Sequence, residues 1–241
     1  MVCRSSAGTA HTAMFLPGSG LTCVREALRQ RTIGLRSFCV FAEADTEVCE
    51  LIRRKLKRIG FRRRPFLHRS LVETLNLDVV LQGSPLQYAF LDFCSPLNPS
   101  RLYWLRSVAG LLSNQATFAI TVQRNRGGSF VSDCRRLLSR RKSRALRSYV
   151  RQTIPHCTPA TIDSAAMLVL AFSGSRLLTV EDVREYRNDS GKLGGSWMTS
   201  LRFRVCRTTS RPPSDWRWVY DELDDLLLDR SGDWRLTEVC A

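Results

Sequence analysis

Apolar residues recur along this chain in two spacings: short unbroken runs that predict buried strands, and stripes at every third or fourth position that predict helices. Residues 13–16 (Ala-Met-Phe-Leu) form such a run, broken by Pro17-Gly18-Ser19-Gly20. Leu21, Val24, Ala27 and Leu28 then repeat at helical spacing over 21–30, with Gly34 as a stop. Residues 37–42 (Ser-Phe-Cys-Val-Phe-Ala) predict a second strand ending at Glu43 and Asp45, after which Thr46 is placed to cap a helix over 46–59. Residues 66–77 fit a short strand followed by a short helical turn. Residues 88–93 predict a strand with one embedded acid, Asp92, closed by a turn from Ser95 to Ser100 and followed by a helix over 100–112. Residues 116–122 read as a buried strand, Gly127-Gly128 as a turn, and 130–154 as a long helix. Beyond Pro155, 167–172 reads as an apolar strand, and 179–187 with 198–206 as a hairpin joined through Asn188-Asp189-Ser190-Gly191 and Gly194-Gly195. A closing helix is predicted over 218–229.

Strand and helix alternation of this kind predicts an α/β fold, a doubly wound, mainly parallel sheet with a C-terminal antiparallel hairpin. The 241 residues are enough for one large domain. That domain is expected over 13–206, between an N-terminal tail at 1–12 and an acidic, tryptophan-containing extension at 207–241. No apolar run approaches the roughly 20 residues a membrane span requires.

Charge changes the picture. Lys and Arg number 37 against 22 Asp and Glu, a formal net charge of +15. Such an excess points to a polyanion, nucleic acid before a membrane surface. Most of these cations are arginines, whose planar fork suits phosphates and base faces. Two stretches carry them without an acid, 53–69 and 134–162. Arg62, Arg63 and Arg64 in the first, and Arg140, Arg141, Lys142 and Arg144 in the second, are the candidate nucleic-acid contacts, with RNA ahead of DNA as partner. Phe61, Phe66, Phe130 and Tyr149 lie near enough in sequence to stack on unpaired bases, or to pack in the core. The extension carries Asp221, Glu222, Asp224 and Asp225 together with Trp216, Trp218 and Trp234, and is expected to pack on the domain, dock on a basic block or engage a protein partner.

The nine cysteines form no Cys-x-x-Cys pair, and none of the three histidines flanks them at ligand spacing, so no metal is expected. Cysteines inside apolar runs suit a reducing intracellular compartment. The cytoplasm is expected first. Mitochondria come second, because residues 1–12 hold Arg4, small and hydroxylated side chains and no acid.

In this order of elements the chain resembles the class I S-adenosylmethionine-dependent methyltransferases, a likeness that implies a seven-stranded sheet ending in the antiparallel hairpin. Three landmarks carry the likeness: Leu16-Pro17-Gly18-Ser19-Gly20 after the first strand, Glu43 after the second, and Leu91-Asp92-Phe93-Cys94-Ser95-Pro96 at the fourth. The resemblance implies that Leu16, Gly18, Ser19 and Gly20 border bound S-adenosylmethionine, glycine allowing a tight turn and close backbone approach. It implies that Glu43 accepts the ribose hydroxyl protons. Asp92 would face the reacting end of the cofactor as a contact and as the catalytic residue. Leu16 stands where the family carries an acid, and His68-Arg69-Ser70 where it carries an adenine-contacting Asp. Those departures keep open an alternative, a catalytically inactive methyltransferase-like protein that binds RNA or supports assembly. A nicotinamide-dependent oxidoreductase has the glycine turn and Glu43 in its favour, but Cys23 occupies the place of its third glycine.

Overall fold

Strand β1 (Ala10–Leu16) leads to helix α1 (Thr22–Arg29), β2 (Ile33–Ala42) to α2 (Thr46–Ile59), and β3 (Phe66–His68) to the short α3 (Leu77–Leu81). Strand β4 (Leu86–Phe93) then leads to α4 (Pro99–Leu111), which runs into β5 (Leu112–Gln123). Helices α5 (Ser129–Ser139), α6 (Arg144–Thr153) and α7 (Pro159–Phe172) follow, then the strands β6 (Arg176–Asn188) and β7 (Ser196–Thr208), and finally α8 (Arg217–Thr237). This computed structural model describes residues 10–93, 95–123, 129–188 and 196–237. The predicted Gly127-Gly128 turn and most of the hairpin turn lie outside them, as does Cys94.

The seven strands run in the order β3-β2-β1-β4-β5-β7-β6. Strand β1 pairs in parallel with β2 and β4, β2 pairs in parallel with β3, and β6 pairs antiparallel with β7. This is the mainly parallel sheet with a terminal antiparallel hairpin that the apolar pattern predicts. Its order reverses between β1 and β4, because β2 and β3 lie to one side of β1 while β4 and β5 lie to the other. Open α/β sheets bind ligands in the crevice beyond the carboxyl ends at such a reversal.

The chain divides into two compact units, Met1–Phe93 with Leu111–Thr121, and Cys94–Gly110 with Val122–Ala241. In the first, Phe15 of β1 stacks on Phe41 of β2 with centroids 5.7 Å apart and lies 5.6 Å from Tyr88 of β4. Val24 and Ala27 of α1 and Ile52 and Leu56 of α2 close over these rings. Asp45, rather than Thr46, caps α2, its carboxylate accepting the N–H groups of Glu47 and Val48 at 2.8 and 3.0 Å.

In the second unit, residues 167–172 are not a strand but the last turns of α7. Every residue of that helix from Ala165 to Phe172 is buried. A helix that is apolar all round loses the stripe that would betray its period, so a short stretch of it reads equally well as a strand. Pro159 at its first turn marks the true start. The expected long helix over 130–154 is also broken. The buried Ser143 hydroxyl donates to the Leu137 carbonyl at 2.7 Å, and a 3₁₀ turn at Arg141–Ser143 separates α5 from α6. Helix α8, longer than the predicted 218–229, buries Val219, Leu223 and Leu227 and packs on α5 and α7. Among the described residues no helix is long and apolar enough to cross a membrane.

Candidate functional site

Register brings the sequence landmarks of the first unit to one edge. Leu16 of β1 lies beside Leu91 of β4, Phe15 beside Phe41 of β2, and Ala42 beside His68 of β3. The next residues along, Pro17, Glu43 and Asp92, therefore stand at the carboxyl ends of three neighbouring strands. Between β1, α1 and β4 opens a cleft of about 300 Å³, lined by Leu16, Gly18, Gly20, Leu21, Cys23, Glu26, Phe90 and Asp92 among others. Leu16, Gly18, Gly20 and Asp92 thus meet in one cleft. Ser19 and Glu43 do not line this cleft.

The turn that shapes it closes through the Leu21 N–H, which donates to the Gly18 carbonyl at 3.0 Å. Its left-handed residue is Leu21, with φ 53°, fully buried at the start of α1. Neither glycine of the turn has positive φ. A β-carbon on Gly18 would meet nothing within 4 Å, whereas one on Gly20 would stand 3.1 Å from the Thr22 hydroxyl. Neither backbone conformation nor protein packing therefore requires glycine at 18, and the position stays open over the cleft. No side-chain hydrogen bond from Leu21 caps α1. Lys55 of α2 reaches across to donate to the Ser19 carbonyl at 2.6 Å, fixing the turn from the other side.

Glu43 follows β2 directly. Its N–H donates to the His68 carbonyl at 3.0 Å and its side-chain Oε1 accepts the Asp45 N–H at 3.0 Å, which aims the carboxylate from the strand end. Asp92 is half-buried between the buried Leu91 and Phe93. Burial, with the Asp92 carboxylate adding to it, pushes the Cys23 thiol up to about 11, so at neutral pH it is a protonated, unreactive wall of the cleft. Glu26 is held at about 2, chiefly by its hydrogen bond from Arg29, and stays ionised. The sequence assigns no role in the site to Glu26 or Phe90, and Cys23 stands out in it only as the residue in the place of a third glycine. Cys23 and Glu26 sit three residues apart on the first turns of α1, a spacing that shares one helix face, but nothing in their identity separates them from ordinary surface positions.

The cations fall into two settings. Arg62, Arg63 and Arg64 are exposed in the first unit, on the segment between α2 and β3. In the second unit Arg140 pairs with Glu222 of α8 at 3.1 Å, and both Arg140 and Lys142 lie over the Trp218 ring at 5.2 and 4.4 Å. The acidic extension thus docks on that basic block. Arg141 and Arg144 line an open groove of about 560 Å³ there with Arg147 and Arg151. Ser95 and Asn98, just past β4, are engaged locally. Ser95 Oγ accepts from Arg101 at 2.7 Å, and the Asn98 side chain accepts the Arg101 N–H at 2.8 Å at the start of α4. No group of three or more His, Cys, Asp or Glu that could hold a metal occurs among the described residues.

The strand order and the hairpin at its end decide the fold. It is the class I methyltransferase fold. No protein-family model matches the chain, and no curated protein matches it. Solved structures similar to it include an rRNA methylase from Streptococcus thermophilus, 10% identical over 83% of this chain and 89% of that one, with a TM-score of 0.43. A SAM-dependent methyltransferase from Methanosarcina mazei is 10% identical over 84% of this chain and 95% of that one, with a TM-score of 0.49. A precorrin-6y C5,15-methyltransferase from Geobacter metallireducens is 10% identical over 82% of this chain and 83% of that one, with a TM-score of 0.45.

Proposed function

We propose that this chain is an S-adenosylmethionine-dependent methyltransferase acting on nucleic acid, RNA ahead of DNA. The observation that carries the reading is the meeting of an open glycine position, Gly18, with the half-buried acid Asp92 in one cleft at the point where strand order reverses. A cleft of this size is at the lower bound of small-ligand sites. The backbone at Gly18, Ser19 and Gly20 offers donors and close approach, and Leu16, Leu21 and Phe90 offer apolar wall. In this reading Glu43, which follows β2 outside the cleft lining and whose Oε1 accepts the Asp45 N–H, takes the ribose hydroxyl protons. S-adenosylmethionine supplies an electrophilic methyl group when bound. Asp92 then orients the nucleophilic nitrogen or oxygen of the substrate, or accepts its proton as the new bond forms. The net charge of +15 supports a polyanionic substrate.

Calorimetry with S-adenosylmethionine and S-adenosylhomocysteine tests the site. Gly18→Val fills the open position and Glu43→Ala removes the carboxylate, and each should weaken binding while thermal melting stays close to wild type. Equal affinity in all three proteins would remove these residues from the site. A second reading, an inactive protein of this fold that binds RNA or supports assembly, is favoured by Leu16, which puts an apolar side chain in the cleft where the family places an acid. It predicts no cofactor binding by the wild type.

A further inference from the structure

We propose that a groove along the free edge of β3 holds a single-stranded segment of RNA, apart from the cleft where methyl transfer is placed. The inference rests on the nucleic-acid part of the function proposed above, and concerns where and in what form the polymer is held. Strand β3 ends the sheet, with β2 as its only neighbour in the strand order. Beside it lies an open groove of about 1040 Å³, bounded by the end of α2, the segment that follows it, β3 itself and α3. Among its lining, which also includes Leu56, Leu67, Val79 and Val80, two kinds of side chain suit a nucleic acid. Arg62 and Arg64, with Lys57, supply exposed cations, and none of the three has an acidic partner among the described residues. Phe38, Phe61 and Phe66 supply aromatic surface, and Phe66 keeps 37% of its own surface exposed although it belongs to a strand.

Helix α2 accounts for part of this charge, since Lys57 in its last turn complements the helix dipole. It does not account for Arg62 and Arg64, which lie beyond the helix end at Gly60. Their segment is tied to the sheet by the Arg62 N–H, which donates to the Leu35 carbonyl of β2 at 2.7 Å, so the guanidinium groups start from a fixed backbone. Cations along a concave track with aromatic faces in its wall suit phosphates spaced along a strand whose bases are unpaired and free to stack. A duplex hides those faces, and an anionic bilayer has none. The groove shares no lining residue with the cleft, although its lining runs along β3 as far as Arg69, just past that strand's carboxyl end. Its other end lies further back: at about 3.3 Å per residue, Phe38 is roughly 16 Å back along β2 from Glu43. A strand held here is anchored rather than reacted, which leaves the cleft free to act on another part of the same polymer.

Fluorescence polarisation with a short mixed-sequence RNA, as a single strand and as a duplex, tests the proposal. The single strand should bind more tightly. Phe66→Ala should weaken it by about tenfold or more, and Phe66→Trp should restore it. Arg62→Glu with Arg64→Glu should lower affinity and reduce the salt slope by about 0.7 for each phosphate that is no longer neutralised. Melting temperature serves as the folding control for every variant. Unchanged single-strand affinity in the arginine variant, a duplex bound as tightly as the single strand, or anionic vesicles bound in preference to RNA would each overturn it. The outcome separates from that of the reaction itself. If these variants lose RNA while the wild type binds no S-adenosylmethionine, the groove stands and the methyl-transfer reading falls. Cofactor binding with unchanged RNA affinity in the variants gives the reverse.

Discussion

Asp92 shows how one residue can be read from sequence and then tested by chemistry. An acid inside an apolar strand needs a pocket or a partner, and the structure gives it a pocket, at the strand end beside Gly18 and Cys23. Asp92→Asn keeps size and much of the hydrogen bonding but removes the base. Methyl transfer should fall by about 10²–10⁴-fold, with RNA affinity and melting temperature near wild type. Full activity in this variant would leave Asp92 as a packing or solvation feature. Ser95 and Asn98 would then be poor replacements, because both are already committed to Arg101. Leu21 illustrates the opposite case. A leucine in the left-handed region has no signature in its own sequence, since that conformation normally selects glycine or asparagine. Its burial holds it there, and that burial follows from the rest of the core rather than from the turn.

At the scale of elements, the start of α7 is held by a side chain from another element. Its start lacks a side-chain cap from Thr158, and Glu185 of β6 takes over that role. The Glu185 carboxylate accepts from the Thr158 N–H at 3.3 Å, from the Thr158 hydroxyl at 2.7 Å and from the hydroxyl of the fully buried Thr161. A carboxylate here meets the Thr158 N–H and the positive end of the dipole. Glu185→Ala should cost about 1–2 kcal/mol, seen as a melting temperature lower by roughly 2–8 °C for a chain of this size. Glu185→Gln should cost less. An unchanged melting temperature in the alanine variant would show that the hairpin does not hold the helix start. The same helix marks where sequence pattern stops being legible. Helices α1 and α2, each with one wet face, follow from their apolar stripes, and the residues at the ends of β1, β2 and β4 follow from chain order alone. Helix α7 does not, because burial on all sides removes the stripe. Cys23 and Glu26 do not either, because only the folding of α1 against β1 brings them to the cleft.

For the molecule as a whole, the charge of +15 is distributed unequally between what is free and what is already used. In the second unit Arg140 and Lys142 are engaged by Glu222 and Trp218 of α8, Arg106 pairs with Asp224, and Arg147 lies 3.5 Å from Asp163. The acidic extension therefore neutralises part of the block it follows in sequence. Arg141 and Arg144 remain in the open groove. An exposed ion pair such as Arg140–Glu222 is worth about 0–1 kcal/mol, so a polyanion competes with it on nearly equal terms at low salt and loses ground as salt rises. Arg141→Glu with Arg144→Glu should then lower RNA affinity less than the matching change at Arg62 and Arg64, while leaving the Arg140–Glu222 pair intact. Glu222→Ala, which frees Arg140, should raise RNA affinity and steepen its salt dependence by up to about 0.7–0.9 in the log–log slope if one further phosphate is met. Both changes can be read from the same titrations across ionic strength. If Glu222→Ala leaves the slope unaltered, the Arg140 block is a solvated face that α8 merely covers, and binding belongs to the first unit alone.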